Sequence, residues 1–444
     1  MLKKEALPKS ALALLSTLKK SGHQAYLVGG CIRDLLLGIP VKEWDITTSA
    51  KPDEVAMLFR KVIPTGIEYG TVTVHMEDGE YEVTTFRADE KYVDGRHPSN
   101  VKFTDDIHKD LSRRDFTINA FAYDPEKDAL IDDFDGQNDL KNKLIRAIGN
   151  PADRFSEDGL RSLRACRFAA RLEFEIEKET FAAIPKTLEI TRKVAAERIH
   201  DEIVKILSAK KPSIAFELMR KSGLLNLIIP ELLACLNVEQ PPQFHKYDVY
   251  WHNLYACDAA PIGNVVLRMA ALLHDIGKPS CKEGFHFYGH DQAGAKMTEE
   301  ILRRLKFSND EIGRITNLIK EHMFNYVSDW NDSAVRRFIR RVGGLSNIPE
   351  LFELRKADAR AMEREIEAEY LAELQKRIDK IVAEENALDI KDLKVKGEDV
   401  MQTLNVQPGP LVGKVLHYLL DKVLDDPKLN ERDKLLDMVK KYEI

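Results

Sequence analysis

The hydrophobic pattern of the chain changes its period once, near residue 150. Between about Gln24 and Ile148, short β-branched runs such as AYLVGG and YEVTTFR alternate with helical stretches and Gly/Asp turns. This mixture is typical of an α/β unit. From about Pro151 onward, segments such as AAERIHDEIVKILSA place apolar residues at i, i+3 and i+4, the spacing of amphipathic helices. The sequence therefore predicts an α+β fold in which an N-terminal α/β head precedes all-α domains.

A chain of 444 residues is too long for one core of ordinary size. The segment Leu232–Tyr250 contains Pro241-Pro242 and few periodic residues, and a charged junction lies near Glu384–Lys396. Such stretches are typical of linkers. We therefore expect four parts: a head over 1–150, a helical neck over 151–240, a second helical domain over 241–380 and a helical tail over 381–444.

Composition excludes a membrane protein and a disulfide scaffold. With 44% hydrophobic and 32% charged residues, the chain has no apolar run near the roughly 18 residues that a membrane span needs. Its N-terminus places Leu and Ala between lysines at helical spacing, which favours an amphipathic first helix over a signal peptide. The five cysteines are scattered and form no CxxC pair, so structural thiols and a cytoplasmic location are predicted.

The net charge of −6 argues against a surface that is basic throughout. Basic residues cluster locally, at Arg161, Arg164, Arg167 and Arg171 and again over Arg336–Arg341. Any contact with nucleic acid is therefore expected to be local.

Two adjacent glycines follow the first apolar run of the head. Gly29 and Gly30 stand between a predicted strand and a helix that is expected to begin near Ile32, with Arg33 close behind. Backbone amides in such a turn can approach a phosphate. A bare Gly-Gly turn is more often structural, so the neighbouring carboxylates decide the interpretation.

Three carboxylates are candidates for binding a divalent metal ion. Glu43 and Asp45 are two residues apart, and on a strand such residues project to the same face. Glu82 lies in YEVTTFR, a strand that can pair alongside. Carboxylate oxygens are the ligands that Mg²⁺ prefers. The alternative is that these are ordinary surface acids.

These pieces resemble the polymerase β-like nucleotidyltransferase superfamily, and most closely the bacterial class II CCA-adding enzymes and poly(A) polymerases. The resemblance spans nearly the whole chain. It rests on six motifs in the family's order: GGCIRD (29–34), EWDITTSA (43–50), DGRHPSN (94–100), SRRDFTINA (112–120), DFDG (133–136) and SEDGLRSLRACRFAARL (156–172). It implies addition of C, C and A to the tRNA 3′ end from CTP and ATP, with release of pyrophosphate and no nucleic-acid template.

The resemblance also implies roles for particular residues. Glu43, Asp45 and Glu82 would be the catalytic carboxylates that bind Mg²⁺, although the family has Asp where this chain has Glu43. Gly29, Gly30 and Arg33 would belong to the nucleotide site. Contacts with the triphosphate and the ribose would come from Arg113, Arg114, Asp115 and Asn119. The segment 87–102 resembles the flexible loop that the family needs to switch from C to A addition.

Asp158 and Arg161 are candidates for selecting the base. At i and i+3 on a helix they would share one face. An ionised Asp only accepts hydrogen bonds and an Arg only donates them, which matches the exocyclic amine and ring nitrogen of both cytosine and adenine but not uracil or guanine. Taken alone, this spacing is more often a surface salt bridge. Arg164 and Arg167 continue the helix towards a base or a phosphate, with a plain basic helix face as the alternative.

A second group of candidates lies in the helical region. His274-Asp275 ends an apolar stretch, and His252, His290, His322 and Asp358 accompany it. Imidazole and carboxylate ligands suit a borderline divalent metal. With YWHNL, LLHDIGKP, YGHDQAGA, IKEHM and RKADARAM in order, the region resembles the HD phosphohydrolase superfamily. This implies a helical HD metal domain over 241–380, with His252, His274, Asp275, His322 and Asp358 as ligands of a second metal, either hydrolytic or only structural.

Three rival interpretations remain at this point. A poly(A) polymerase shares the head motifs but is usually more basic. An HD phosphohydrolase with a degenerate, RNA-binding head would follow if Glu43 spoiled the metal site. A tRNA-binding factor without enzymatic activity would require both metal sites to be silent. The sequence leaves the oligomeric state open.

Overall fold

The computed structural model describes residues 7–89, 101–243, 246–363, 368–384 and 387–442. The motif at 94–100, and with it most of the expected C-to-A switching loop, lies outside the described residues. The chain divides into two compact units, Met1–Pro230 and Glu231–Ile444. The predicted boundaries at 150, 240 and 380 stay predictions.

All strands of the described chain lie in the first unit. They are β1 (Ala25–Val28), β2 (Asp45–Thr48), β3 (Val62–Gly66), β4 (Thr71–Met76), β5 (Gly79–Thr85), β6 (Arg87–Asp89), β7 (Val101–Phe103), β8 (Ala122–Asp124), β9 (Ala129–Ile131), β10 (Leu144–Ile145) and β11 (Glu175–Ile176). Seven of them form a sheet in the order β3-β4-β5-β2-β1-β8-β9. Only β2 and β5 pair in parallel within it, and this pairing sets Asp45 opposite Glu82.

Helices surround the sheet of the first unit and continue beyond it. They are α1 (Lys9–Lys20), α2 (Gly30–Leu36), α3 (Pro52–Leu58), α4 (Ile107–Ser112), α5 (Gly136–Lys141), α6 (Pro151–Glu157), α7 (Leu160–Leu172), α8 (Lys178–Ala183), α9 (Leu188–Thr191), α10 (Ala196–Leu207), α11 (Pro212–Ser222) and α12 (Leu224–Ile228). Helix α2 begins two residues before the predicted start. Helix α7 packs against α10 and α11 and buries Leu163, Cys166 and Ala169. It therefore forms the centre of this helical layer.

The helix that was predicted to carry both Asp158 and Arg161 is broken at Asp158-Gly159. Asp158 is extended (φ −144°, ψ 108°) and ends α6, and α7 starts at Leu160. The break brings Gly159 against the backbone at the end of α9, since a Cβ there would lie 2.7 Å from the carbonyl carbon of Ile190. The Thr191 hydroxyl donates to the Gly159 carbonyl over 2.9 Å. The prediction of one continuous helix is wrong because the Asp-Gly pair makes a turn.

The described part of the second unit is built from helices. They are α13 (Pro230–Leu233), whose first residue closes the first unit, then α14 (Val249–Ala259), α15 (Val265–Leu273), α16 (His290–Arg304), α17 (Asn309–Glu321), α18 (Asp332–Arg341), α19 (Ile348–Ala361), α20 (Ala368–Ala383), α21 (Gly397–Leu404), α22 (Pro410–Asp425) and α23 (Arg432–Lys440). Helix α14 packs on α15 and α19, and α17 packs on α15 and α16. The last three helices share a core that includes Val400, Leu419 and Leu435.

This architecture, a sheet-containing head followed by helices, confirms the predicted α+β fold. A search of the described helices finds none that is both long enough and apolar enough to cross a membrane.

Candidate functional site

A basic cavity of about 880 Å³ lies in the first unit. It is lined from α2, the start of β2, the segment that follows α4, and helices α7 and α10. Eleven of its side chains are cationic: Arg33, Lys42, Arg87, Arg113, Arg114, Arg161, Arg164, Arg167, Arg171, Arg198 and Lys205. Five are carboxylates: Asp34, Glu43, Asp45, Asp115 and Asp158. The excess of positive charge suits an anionic ligand such as a triphosphate.

The candidate metal carboxylates meet at the paired strands β2 and β5. Asp45 opens β2, and its register partner is Glu82 in β5. Glu43 precedes the strand, so the expected projection of Glu43 and Asp45 from one strand face is wrong. Glu43 and Asp45 both line the cavity. Among the described residues, these three carboxylates do not bring one oxygen each within 4.8 Å of one another.

The electrostatics of these carboxylates fit a cation. Burial raises the pKa of Asp45, with Glu43 adding to the effect and Arg114 opposing it. Burial also raises the pKa of Glu82, and the nearby Asp45 and Glu43 raise it further. A divalent ion would relieve this repulsion between carboxylates. The all-oxygen ligand set is the one that Mg²⁺ prefers.

One of the two backbone amides of the Gly-Gly turn, which were expected to face a phosphate, is already hydrogen-bonded within the protein. The Gly29 amide donates to the Phe121 carbonyl over 3.0 Å, so it is already engaged. Gly30 and Arg33 line the cavity. The Arg33 guanidinium donates to Asp34 over 2.8 Å and to Asn119 over 2.6 Å, which fixes its orientation towards the site.

Asp110 holds the two arginines of the SRRD motif. Its buried carboxylate accepts from Arg113 over 2.9 Å and lies 3.4 Å from Arg114. Although burial opposes ionisation, Arg113 and Arg114 lower the pKa of Asp110. The sequence analysis did not identify Asp110, yet its i, i+3 and i, i+4 spacing to the arginines is a recognisable helix pattern.

The Asp115 carboxylate is hydrogen-bonded to other side chains of the protein. It accepts from the Asn119 amide over 3.0 Å and from the Arg164 Nε over 2.8 Å. Although burial opposes ionisation, Arg164 holds the pKa of Asp115 well below its usual range. Asp115 therefore orients Asn119 and Arg164, both of which line the cavity. Its predicted contact with the nucleotide stays a prediction.

Asp158 and Arg161 line the same cavity but are held by different partners. Arg198 of α10 forms a bidentate salt bridge with the Asp158 carboxylate, with N–O distances of 3.2 and 2.8 Å. Arg161 donates to Glu157 over 2.5 Å and to the Arg113 carbonyl over 3.0 Å. The expectation of a shared helix face is wrong because α6 ends at Glu157. Nor do the two pair with each other as a surface salt bridge.

Two arginines of α7 and Arg33 of α2 lie around the ring of Phe168. The guanidinium carbons of Arg33, Arg164 and Arg167 lie 5.1, 5.4 and 4.0 Å from the ring centroid, distances at which cations interact with an aromatic face. Arg167 also pairs with Glu202 of α10 over 2.5 Å. Sequence reasoning missed Arg198 and Glu202, whose i, i+4 spacing on one amphipathic helix was the available signal.

Comparisons with known proteins agree with this geometry. A family model described as the poly A polymerase head domain matches residues 25–146, and a probable RNA and SrmB-binding site of polymerase A matches 173–236. The curated CCA-adding enzyme of Ligilactobacillus salivarius is 34% identical over 437 residues, which cover 98% of this chain and 96% of that protein. That of Streptococcus mutans is 34% identical, covering 97% and 96%.

The chain belongs to the family of CCA-adding enzymes. It is therefore a nucleotidyltransferase, and the predicted family and enzyme class are confirmed. The solved CCA-adding enzyme of Bacillus stearothermophilus, in complex with CTP, superposes with a TM-score of 0.73 at 26% identity, over 97% of this chain and 96% of that chain. A putative domain 2 of tRNA nucleotidyltransferases matches residues 292–439. The HD domain is not part of these findings and stays a prediction.

In this member of the CCA-adding family, the second unit gathers the predicted HD residues in one place. The Nε2 atom of His252 lies 3.1 Å from that of His274 and 3.0 Å from Asp358. Asp275 lies 3.3 Å from His274 and 3.6 Å from His322. His290, which opens α16, joins them 3.3 Å from Asp275.

Neighbouring charges shift the pKa values of the groups in this cluster. Although burial disfavours the charged imidazole, Asp275 and Asp358 raise the pKa of His274 to about 10. Despite its burial, Lys278 and His274 hold the pKa of Asp275 well below its usual range. Burial, by contrast, lowers the pKa of His322. The cluster is thus a buried site in which two carboxylates face several imidazoles, a set of groups that suits a metal ion.

Proposed function

We propose that this chain completes the CCA end of tRNA, transferring two CMP units and one AMP unit from CTP and ATP to the 3′-hydroxyl with release of pyrophosphate. One observation carries the proposal. The carboxylates Asp45 and Glu43 and the base-selecting candidates Asp158 and Arg161 open into the same basic cavity. A metal-assisted phosphoryl transfer and a protein-based choice of the base can therefore take place on one bound nucleotide.

The cationic residues of the cavity would bind and orient the triphosphate. Arg113 and Arg114 are fixed by Asp110, and Arg33 is fixed by Asp34 and Asn119. Guanidinium groups held in this way bind phosphate oxygens with little loss of side-chain entropy. Catalysis of phosphoryl transfer rests mostly on positioning of the reactants and on stabilisation of charge. These arginines would supply both.

Asp45, Glu43 and Glu82 would hold Mg²⁺. When bound there, the metal makes the primer hydroxyl a better nucleophile and stabilises charge on the leaving pyrophosphate. Glu43 lies before β2, outside the strand that positions Asp45, and would reach the ion from that preceding segment.

Base selection would rest on Asp158 as acceptor and Arg161 as donor. The Arg198 contact and the Leu160 amide fix the Asp158 carboxylate. Each carboxylate oxygen has two lone pairs, so Asp158 can still accept from a base amine. Among the described contacts, the Arg161 Nε donates to no protein acceptor and remains for the ring nitrogen. Uracil and guanine would set a carbonyl against the Asp158 carboxylate and an N–H against the Arg161 Nε, a mismatch that costs binding free energy.

The helical cluster would hold a second divalent metal through His252, His274, Asp275, His322 and Asp358. Its imidazole and carboxylate groups fit a borderline ion better than Mg²⁺. We propose hydrolysis of phosphate esters as its secondary activity. We also propose a cytoplasmic location, which the five free cysteines support.

Incorporation of labelled CTP into tRNA lacking its CCA end tests the proposal against a poly(A) polymerase. We expect two C residues with CTP alone and a terminal A only after ATP is added. Extension by ATP alone into a long A tract would instead support the polymerase. No extension, with tRNA still bound, would support a degenerate head.

A further inference from the structure

Two aromatic side chains, Tyr69 and Phe168, belong to the described lining of the basic cavity. Phe168 is only 4% exposed, whereas Tyr69 is 39% exposed. The guanidinium groups of Arg33, Arg164 and Arg167 already lie around the Phe168 ring. Tyr69 is therefore the ring of this cavity that a ligand can reach.

A tight turn presents Tyr69 to the cavity. The residue ends a single 3₁₀ turn, Ile67–Tyr69. Gly70 follows with a left-handed backbone (φ 80°), and a Cβ at Gly70 would lie 2.6 Å from the ring of Phe103. Glycine permits both the left-handed backbone and this close approach. The packing of Phe103 against Gly70 therefore fixes the end of the turn that carries Tyr69.

Hydrogen bonds through Arg87 connect Tyr69 to the arginines of the SRRD motif. The Arg87 guanidinium donates to the Tyr69 carbonyl over 2.7 Å, and the Arg87 amide donates to the Asp110 Oδ1 over 3.3 Å. The same oxygen accepts from the Arg113 Nε over 2.9 Å. The backbone of Tyr69 therefore has a fixed place relative to a residue that is proposed to bind the triphosphate.

The terminal base of the tRNA 3′ end has no protein partner in the function proposed above. There, Asp158 and Arg161 pair with the base of the incoming nucleotide. The 3′-hydroxyl of the tRNA must also enter the cavity and reach the metal site at Asp45. Tyr69 precedes β4, which lies two places from β2, the strand of Asp45, in the sheet. The ring therefore comes from the same sheet as the metal site.

An aromatic ring suits the terminal base because that base changes during the reaction. The growing end presents first the discriminator base, then C, then a second C. Every base has a π face, so stacking on an aromatic side chain tolerates all of them. Hydrogen bonds to a base edge would instead select one. A ring is thus the contact that allows one site to accept all three ends.

We propose that Tyr69 binds the tRNA 3′ end by stacking its ring on the terminal base, which keeps the 3′-hydroxyl beside Asp45. This inference rests on the proposed function and adds a residue that binds the acceptor strand. Loss of the ring weakens productive binding of the 3′ end, while the choice of the incoming base stays with Asp158 and Arg161.

Addition of CMP to two tRNA transcripts tests the stacking contact. One transcript ends in C, and the other carries an abasic nucleotide at that terminal position. Tyr69→Ala should lower kcat/KM by about tenfold on the normal end and leave it unchanged on the abasic end, because no base is there to stack. Tyr69→Phe keeps the ring and should match the wild-type protein on both transcripts. Ile67→Ala changes an exposed residue of the same turn, outside the described lining of the cavity, and serves as control.

The outcomes separate this inference from the proposed function. Equal losses on both transcripts in Tyr69→Ala, with an active wild-type protein, would show a structural role and overturn the stacking contact alone. A higher KM for CTP without a change for tRNA would place the ring at the incoming nucleotide and overturn it as well. Failure of the wild-type protein to extend the normal end would overturn both. Circular dichroism verifies folding, and Tyr69→Leu, which keeps apolar bulk at the turn, replaces Tyr69→Ala if that variant is misfolded.

Discussion

Asp45 and Glu82 oppose each other across paired strands, and burial together with the neighbouring Glu43 raises the cost of ionising both carboxyl groups. Side chains of this kind persist in a fold when a ligand compensates for them. Asp158 lies outside regular helix and is oriented by Arg198. At the residue scale, we therefore propose that metal binding and base choice belong to separate carboxylates.

Glu82→Gln should lower kcat for CMP addition by about 100-fold or more, because a neutral amide is a poor ligand for a divalent ion. Binding of tRNA should stay unchanged, since Glu82 is not among the described residues that line the cavity. Single-turnover kinetics measure the first and filter binding the second. Glu77→Gln, an exposed residue of the same β-hairpin, serves as control. A kcat for Glu82→Gln within about threefold of the control would contradict the assignment.

Asp158→Ala should lower the preference for CTP over UTP by about 100-fold, because the acceptor for the base amine is lost. The preference is the ratio of kcat/KM values measured with each nucleotide on one tRNA. Asp153→Ala, an exposed carboxylate of α6, should leave the ratio unchanged. An unaltered ratio in Asp158→Ala, with reduced overall rate, would show that Asp158 is only structural.

At the scale of elements, the break between α6 and α7 positions the base-selecting residues. Gly159 permits the backbone of 190–191 to approach, and a Cβ would meet Ile190 and Thr191 at 2.7 Å. The break thereby directs Asp158 towards Arg198 and away from the axis of α7.

Gly159→Ala should destabilise the protein by about 1–3 kcal/mol, because the methyl group has no space against a backbone. Gly313→Ala on α17 is the matched control: no atom lies within 4 Å of the place that its methyl group would occupy, and alanine in a helix gains about 0.5–1 kcal/mol over glycine. Urea denaturation followed by circular dichroism measures both. Equal stability of the two variants would refute the packing argument.

The features that could be predicted from the sequence are those that depend on one short segment. Local patterns predict the Gly-Gly turn, the strands around Asp45 and Glu82 and the helices after residue 151. The prediction of a helix at Asp158 was wrong, because the helical periodicity of the neighbouring residues was given more weight than the Asp-Gly turn. Arg198 was missed because its role depends on a partner that the fold brings to it, Asp158, 40 residues away. Asp110 was missed although its partners Arg113 and Arg114 lie only three and four residues further along the chain.

At the scale of the whole molecule, positive charge is concentrated in the cavity. The chain carries a net charge of −6, while its cavity has eleven cationic side chains and five carboxylates. An acidic exterior disfavours unspecific contact with nucleic acid, and a basic cavity favours the nucleotide and the tRNA end. The chain matches the CCA-adding relatives over nearly its entire length.

The most direct test is extension of tRNA transcripts that end at the discriminator base, at C or at CC, with CTP, ATP and Mg²⁺, resolved at single-nucleotide resolution. We expect completion of all three transcripts to CCA and no further growth. We also expect that Asp45→Ala binds each transcript but extends none. Failure of the wild-type protein to extend any transcript, or extension by Asp45→Ala, would contradict the assignment of the cavity as a nucleotidyltransferase site.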